Sequence, residues 1–461
     1  MDYTKLMNDT AGQVSALGVV GATGGYGYTL LAQIIHVKHL RLRAVSALDA
    51  DECRAVLAEI GYDAARLHVC ATLEDIAAAP EDAVLIVTRY RDIADCGITS
   101  LVECTGDTAV SVDIAVRCLT RGINVYMCSK EADSVCGPML NQIAARHHAV
   151  YALVNGDQPR NLIDLCSWAR LLGLEIICAG KASEYDFVWD RETAVLSYTD
   201  GSGSTAHTPA MKDCWQYTGT ETLAMRRRLV DRWAGVIPAD LCEMNLVANI
   251  TGFAPAAPFL NYPVAKTSEL ADIFIPKEDG GILERTGVVD VFYHLRGTDE
   301  ASFAGGEFII VKCKNKKMWD MLAAKGHVVS RNGAYCCIYS PYHFMGMETP
   351  SSILLGDHMG IGTHPETRHA VVMAGTAARD LPAGTELSVR GHHHAIDGLI
   401  PQLLTRECAE TAAPFYLLNG AKLLRDIKKG RPVTTDDVDL SYLDAYRLFT
   451  EGLALDEQSR Q

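Results

Sequence analysis

The chain has 461 residues, 48% apolar and 21% charged, which excludes wholesale disorder, collagen and coiled coil. Lysine and arginine number 42 against 57 aspartate and glutamate, a formal net charge of −15, so the basic field needed for general nucleic-acid binding is missing. No apolar run reaches the roughly 18 residues of a membrane span, and the length suggests about three domains.

The first residues, MDYTKLMNDTAGQ, are polar and show no signal-peptide core. Residues 14–22 are an apolar run ending in glycines, followed by a helix over 28–36, a strand over 40–48 and a helix over 51–60. Strands at 83–88 and 100–104, a helix at 110–121, a strand at 123–128, a helix at 139–147 and a strand at 149–154 continue the series. Alternation at this pitch predicts βαβ units around a doubly wound parallel sheet, an α/β fold of the Rossmann type. A helix over 161–172 and a strand over 174–179 come next, whereas 186–235, rich in Thr, Ser, Gly, Trp and Arg, shows little regular pattern. A short helix is expected over 241–249 with Gly252 as its stop, then strands of a second sheet over 288–295 and 307–313. A linker rich in Gly, His and Pro follows at 356–366. Residues 368–440 read as a small separate β-rich module, in which HAVVMAGTAARDLPAGTELS and LRDIKKGRPVTTDDVDL each suggest a strand and a turn. The 15 cysteines are scattered without a CxxC pair, the usage of reduced, buried thiols in a cytoplasmic protein.

The segment Gly21-Ala22-Thr23-Gly24-Gly25-Tyr26-Gly27 lies between a strand and a helix. Glycine allows a tight turn and close backbone approach to a pyrophosphate, and the helix N-terminus offers unpaired N–H groups. Gly21, Thr23, Gly24, Gly25, Tyr26 and Gly27 are therefore candidates for dinucleotide binding; the alternative is a turn that only packs helix on sheet. Asp49, 22 residues after Gly27, suits an adenine-ribose hydroxyl and leans toward NAD. Asp51 adds charge and is the more natural cap of the following helix; Arg43 would favour NADP unless it lies within the strand. NAD or NADP is left open. Cys104, Thr105 and Gly106 follow one strand and Ser129 the next, where a nicotinamide would be bordered. Lys130 could polarise a carbonyl there, or be a solvated charge paired with Glu131.

Further candidates follow the glycine-loop region. Asp157 in NGDQP is either a helix N-cap or a carboxylate facing the nicotinamide. Lys181, ending a strand in AGK, suits a proton donor if burial or neighbouring cations lower its pKa, with Glu184 as a possible partner; otherwise it is a surface lysine. Glu243 and Asn249 lie on LCEMNLVANITG, as substrate contacts or satisfied buried groups. Asp157, Glu184 and Glu243 could offer oxygens to Mg²⁺ or Mn²⁺, but no spacing calls for it and no metal is expected. His343 is a candidate catalyst and Glu348 a turn anchor in PYHFMGMETP. His392, His393 and His394 are consecutive, point in different directions, and read as solvated loop residues.

GATGGYG, LVECTG, NVYMCSKEAD and GDQP together resemble the homoserine dehydrogenase-like oxidoreductases. The nearer resemblance is to their 1-deoxy-D-xylulose 5-phosphate reductoisomerase-like subgroup, which ends in a SAF domain. AGKASEYD, LCEMNLVANITG, CIYSPYHFMGMETPSSI and ARDLPAGTELS extend it, from residue 14 to residue 441. The resemblance implies an NAD(P)-binding Rossmann domain over 1–155, a central α+β catalytic and dimerisation domain over 156–365 and a SAF-like domain over 366–445. It implies hydride transfer to or from a small polar hydroxy or keto compound, phosphorylated or not, in a homodimer or homotetramer. The subgroup's DGTK lysine falls on Ala239, with Arg226, Arg227 and Arg228 nearby, and Lys130 replaces an apolar residue. Both departures argue against a phosphorylated deoxysugar. The lost lysine also fits a rival: a non-catalytic protein that senses a nucleotide and a carbohydrate.

Overall fold

The computed structural model describes residues 12–362, 367–391 and 393–458. The described residues fold as two compact units, one drawn from 1–160, 344–369 and 440–461, the other from 161–343 and 370–439.

The first unit is built on seven parallel strands: β1 (Ser15–Val20), β2 (Leu40–Ser46), β3 (Leu67–Cys70), β4 (Val84–Val87), β5 (Ser100–Glu103), β6 (Asn124–Met127) and β7 (Tyr151–Leu153). Their order, β3-β4-β2-β1-β5-β6-β7, is doubly wound, with the switch point between β1 and β5. All six residues of β1 are buried because helices cover both faces, which is why the strands read as continuous apolar runs.

Two helices differ from the sequence expectation. The one expected at 139–147 begins at Lys130 and runs to Arg146. Gly137-Pro138 and a polar start suggest a break, but the segment is buried almost throughout and Gly137 is needed as glycine. A Cβ there would stand 2.5 Å from Asp133 Oδ1. The supposed linker at 356–366 begins inside a helix, Thr349–Met359, while 363–366 lie outside the described residues. That helix packs on the helix Gly25–Ile34 and on β6 and β7. Its Asp357 accepts hydrogen bonds from Ser100 Oγ (2.7 Å), Asn124 Nδ2 (2.7 Å) and Tyr126 Oη (2.6 Å).

The second unit holds β8 (Ile176–Ala182), β9 (Phe187–Asp190), β10 (Val195–Tyr198), β11 (Thr205–His207), β12 (Ala254–Pro255), β13 (Val264–Ala265), β14 (Val288–Gly297), β15 (Glu307–Lys312), β16 (Val328–Val329) and β17 (Tyr335–Ser340). They form one mixed sheet, β11-β10-β9-β14-β8-β15-β17-β16, with β12 and β13 also on β14. Residues 186–235 are thus ordered: they hold β9 to β11 and the helix Thr220–Val230. β9 and β10 are short and alternate buried and half-buried positions, and β11 is largely exposed, so their polar residues mask the pattern. The helix expected at 241–249 spans Pro238–Thr251 and stops at Gly252, whose φ is +76°.

β18 (Val371–Ala377) pairs antiparallel with β21 (Leu399–Thr405), and β19 (Val389–Arg390) with β20 (Ala395–Ile396). The LRDIKKGRPVTTDDVDL stretch gives isolated bridges, Ile427 to Leu381 and Pro432 to Thr376, rather than a strand. Asn249 is buried and accepts from Val371 N (2.8 Å), while Asn245 Nδ2 donates to Val371 O (3.1 Å). Among the described residues no helix is long and apolar enough to cross a membrane. All 15 cysteines are free thiols, and only Cys408 is exposed.

Candidate active site

The glycine loop of the first unit divides into two kinds of glycine. Gly21 has φ +89°, and a Cβ there would lie 2.6 Å from Cys104 O. A Cβ on Gly27 would lie 2.4 Å from Gly21 O. These two let β1, β5 and the helix Gly25–Ile34 approach one another. Gly24 and Gly25 are different: the nearest atoms to a Cβ are 3.5 Å and 3.9 Å away, and both residues are exposed. Gly24 is the N-cap, no side chain caps the helix, and its first turn has no acidic residue. The first helical N–H groups therefore lack side-chain acceptors, as a bound phosphate requires. Thr23 is half-buried in the loop, and Tyr26 Oη bonds Thr349 Oγ1 at 2.6 Å.

After β2, Asp49 is the cap of the helix Ala50–Ile60, where the sequence favours Asp51. Asp49 Oδ1 accepts from Asp51 N (2.9 Å) and Glu52 N (3.0 Å), and Asp51 lies in the first turn. The adjacent Leu48 is fully exposed. Arg43 lies within β2 and donates to the carbonyls of Cys96, Pro80, Glu81 and Ala83, which occupies the guanidinium.

At the ends of β5 and β6, Gly106 N donates to Ser129 Oγ (2.8 Å) and Cys104 Sγ contacts Val20 O (3.1 Å). Thr105 N donates to the buried Glu103 carboxylate (3.0 Å), whose pKa is raised by burial. Lys130 is half-buried and its Nζ lies 3.7 Å from Asp157 Oδ1; the expected partner, Glu131, is itself buried. Asp157 Oδ1 also accepts from Gln158 N (3.2 Å).

In the second unit Lys181 is neither at a strand exit nor on the surface. It lies within β8, fully buried, paired across the sheet with Val291 of β14 and Glu307 of β15. Its Nζ is 2.9 Å from Asp240 Oδ1 and in short contact with Glu243 Oε2. Asp240 and Glu243 are three residues apart on the helix Pro238–Thr251 and so share one face. Of the two surroundings expected for a proton-donating lysine, burial is present and neighbouring cations are not: the neighbours are carboxylates. Ser183 Oγ (2.8 Å) and Tyr262 Oη (3.1 Å) donate to Asp240 Oδ2. Burial raises the pKa of Asp240, against the opposing pull of Lys181, so the cluster can hold a proton on a carboxyl as well as on nitrogen.

Glu307 is fully buried, and His343 Nδ1 lies 3.9 Å from its Oε1. Glu184 Oε2 stands 3.1 Å from His393 Nδ1. Lys181, Glu243 and His343 thus gather along β8 and β15, while Lys130 and Asp157 meet in the first unit. Glu348 is the N-cap of the helix Thr349–Met359. Arg226 is fully buried and all its donors are used, on Glu269 and on the carbonyls of Cys214, Val264 and Trp215. Arg227 donates to Ala234 O and Arg228 is exposed. His392 lies outside the described residues. No group of three or more His, Cys, Asp or Glu that could hold a metal occurs among the described residues.

Asp240, Glu307, Ser183 and Tyr262 escape a reading of the sequence. Asp240 carries a signal, an acid three positions before Glu243 on a helix opened by Pro238. Glu307 carries a weaker one, a charge opening an apolar strand.

Residues 156–349 match the family model described as oxidoreductase DRL, catalytic domain. Solved structures similar to this chain include a DOX-P reductoisomerase with fosmidomycin and magnesium, at 17% identity and TM-score 0.28, covering 37% of this chain and 46% of that one. A probable dehydrogenase from Thermotoga maritima matches at 10% identity and TM-score 0.36, over 76% of this chain and 90% of that one. A myo-inositol 2-dehydrogenase from Lactobacillus plantarum matches at 11% and 0.34, over 75% and 88%. The chain spans about half the length of the reductoisomerase. No curated protein matches it. By class, the chain carries a doubly wound parallel α/β sheet and a segment, 156–349, that matches an oxidoreductase catalytic-domain model.

Proposed function

We propose that this chain is an NAD(P)-dependent oxidoreductase that moves a hydride to or from a small polar hydroxy or keto compound, with Lys181 as its acid–base group. One observation carries the reading: a fully buried lysine held between two carboxylates of one helix face, inside a segment that matches an oxidoreductase catalytic domain. A sheet interior favours apolar side chains, and replacing such an ion pair by packed apolar residues is often neutral or stabilising. Chemistry, rather than stability, explains its presence.

The cofactor fits the first unit on its own evidence. Gly24 and Gly25 leave the helix end open where Gly21 and Gly27 are closed by packing. Main-chain N–H groups over 23–27 would hold the pyrophosphate, and Asp49 would meet the adenine ribose through Oδ2, beside the exposed Leu48. When bound, the nicotinamide supplies or accepts the hydride. Lys181 donates a proton to the forming alkoxide oxygen, or accepts one in the reverse direction. Asp240 and Glu243 fix Nζ, and Ser183 and Tyr262 fix Asp240. Glu307 with His343 is a second acid–base pair on the same strand neighbourhood, and Lys130 with Asp157 serves the first unit. The C-terminal β-module is read as SAF-like and the whole chain as a cytoplasmic, homoserine dehydrogenase-like homodimer or homotetramer, divided functionally at 155 and 365.

The test is to incubate the protein with NADH or NADPH and a panel of small keto compounds, and to follow cofactor absorbance. Wild-type protein should oxidise the cofactor, and Lys181→Met should lose about 10²-fold or more in rate while still binding it. Cofactor binding with no oxidation across the panel, or full activity in Lys181→Met, would overturn the reading.

A further inference from the structure

The turn between β19 and β20 is more than two hundred residues from Lys181 in sequence, yet it meets the segment that leaves β8. There His394 N donates to Gly391 O (3.2 Å), and both residues have positive φ, +50° and +71°. It sends adjacent histidines apart. The His394 ring faces Tyr416, and His393 reaches Glu184. The His393 Nδ1 to Glu184 Oε2 distance is 3.1 Å, with the side chains 32% and 20% exposed. Tyr185 packs edge-on against the His393 ring at 5.8 Å and against Tyr198 at 5.6 Å, which seats the imidazole. Three residues before Glu184, Lys181 has no exposure at all.

We propose that His393, carried by the C-terminal β-module, is a positioning residue of the Lys181 centre: with Glu184 it forms a half-exposed acid–base pair whose charge sets that of the buried Lys181–Asp240–Glu243 cluster. This rests on the acid–base role assigned to Lys181.

The charges on and around β8 make such a pair consequential. Carboxyls of Glu184, Asp240, Glu243, Glu307 and Asp290, the last paired across the sheet with Gly180, surround one ammonium, Lys181, with the imidazoles of His343 and His393 beside them; Asp186, two residues past Glu184, is held by Arg296 and His294. Protonated, His393 neutralises Glu184. When it releases its proton to water, one negative charge is left near the cluster and favours the ammonium form of Lys181. The influence is mutual, because coupling between two sites is reciprocal. The His393 pKa is raised, first by its hydrogen bond to Glu184; Asp240 adds to this and Lys181 opposes it. The geometric tie runs through the residue before Glu184: Ser183 Oγ donates to Asp240 Oδ2 at 2.8 Å, so the pair stands one residue from a direct ligand of the buried centre.

The experiment needs no substrate. The full chain, with 15N-labelled histidine, is titrated by NMR, and His393→Asn assigns the signal. In the wild type His393 should titrate above the ordinary value of about 6.5. Glu184→Gln should lower its midpoint by about one pH unit, and Lys181→Met should raise it. Should Lys181→Met fail to fold, Asp240→Asn replaces it and should lower the midpoint. No response to Glu184→Gln means the pair does not exist in solution; no response to Lys181→Met or Asp240→Asn means it is uncoupled from the centre. Either overturns the proposal. Where turnover is found, His393→Asn should shift the pH limb of kcat/KM with KM unchanged, an effect that a purely structural contact would not produce. Absent turnover in the wild type with the NMR coupling intact would instead remove the oxidoreductase reading and leave the coupled pair standing.

Discussion

Alanine substitution along the glycine loop separates packing from ligand binding by sign. At Gly27 a Cβ would stand 2.4 Å from Gly21 O and 2.9 Å from Ala22 O, both backbone atoms that cannot swing away. Gly27→Ala should therefore cost about 1–3 kcal/mol, the usual range for overpacking. Gly21→Ala should cost more, because a positive φ is added to a 2.6 Å approach to Cys104 O. Gly25 is the first helical residue with open space around it, so Gly25→Ala should stabilise the fold by up to about 1 kcal/mol. Gly24→Ala, at the cap with φ −71° and its nearest atom 3.5 Å away, should change stability by less than about 1 kcal/mol. Cofactor affinity should move the other way. A methyl at 24 or 25 stands where the pyrophosphate must approach the backbone, and we expect at least a tenfold loss, ~1.4 kcal/mol. Urea unfolding reports the first quantity and calorimetry with NADH and NADPH the second. If Gly24→Ala and Gly25→Ala both bind cofactor as the wild type does, the loop does not hold a diphosphate.

Asp49→Asn keeps a good cap but removes a charge, so the melting temperature should hold while the ratio of NADP to NAD affinity rises; an unchanged ratio would remove Asp49 from the ribose site. Asp133 is buried beside Tyr151 with its pKa raised by burial to about 6. A carboxyl that binds its proton more tightly folded than unfolded stabilises the fold fully below about pH 4 and loses that contribution as pH rises to about 6. Asp133→Asn, neutral at every pH, should thus gain on the wild type by about 2–3 kcal/mol between those limits, and a pH-independent difference in melting temperature would contradict this. Arg226→Met leaves Glu269 buried without its cation and should destabilise by about 3–5 kcal/mol, whereas Arg228→Ala should be silent in stability; equal effects would show that the buried pair is not formed.

What the sequence reveals follows from how local the physics is. The parallel sheet is legible because strands covered on both faces leave unmixed apolar runs, and the glycine loop because its turn, cap and helix are contiguous. Lys181 and Glu243 stand out as charges in apolar surroundings, but their partnership spans two elements and needs the register that sets β8 under one helix face. Asp49 displaces Asp51 as the cap for a local reason: its extended backbone, φ −119°, lets Oδ1 reach two N–H groups at once. The helix Thr349–Met359 hides behind the glycine and histidine of its last turns, since Gly356 is required by a tertiary contact, 2.1 Å from a would-be Cβ to Tyr126 Oη. The Glu184–His393 pair is invisible in sequence, because nothing local says that a hairpin turn far along the chain returns to β8.

The lysine centre also explains why β8 tolerates a charge in the middle of a ten-stranded sheet. Two small residues, Gly180 and Ala182, flank Lys181 on the opposite face. A Cβ on Gly180 would stand 2.3 Å from Asp290 O and 2.8 Å from the Phe308 ring, so that face closes tightly and excludes water. The Lys181 face carries its cross-strand neighbour Glu307 and the carboxylates of Asp240 and Glu243, which arrive on a helix anchored at its far end by Asn245 and Asn249 to β18. The same helix therefore holds the charged pair and the C-terminal β-module. A change that loosens β18 should shift Asp240 and Glu243 together, and through them the proton affinity of the centre. Asn249→Leu, which removes the acceptor of Val371 N without touching Lys181, should lower the acid–base rate while leaving cofactor affinity unchanged; loss of both together would mean that the helix anchors the fold rather than the site.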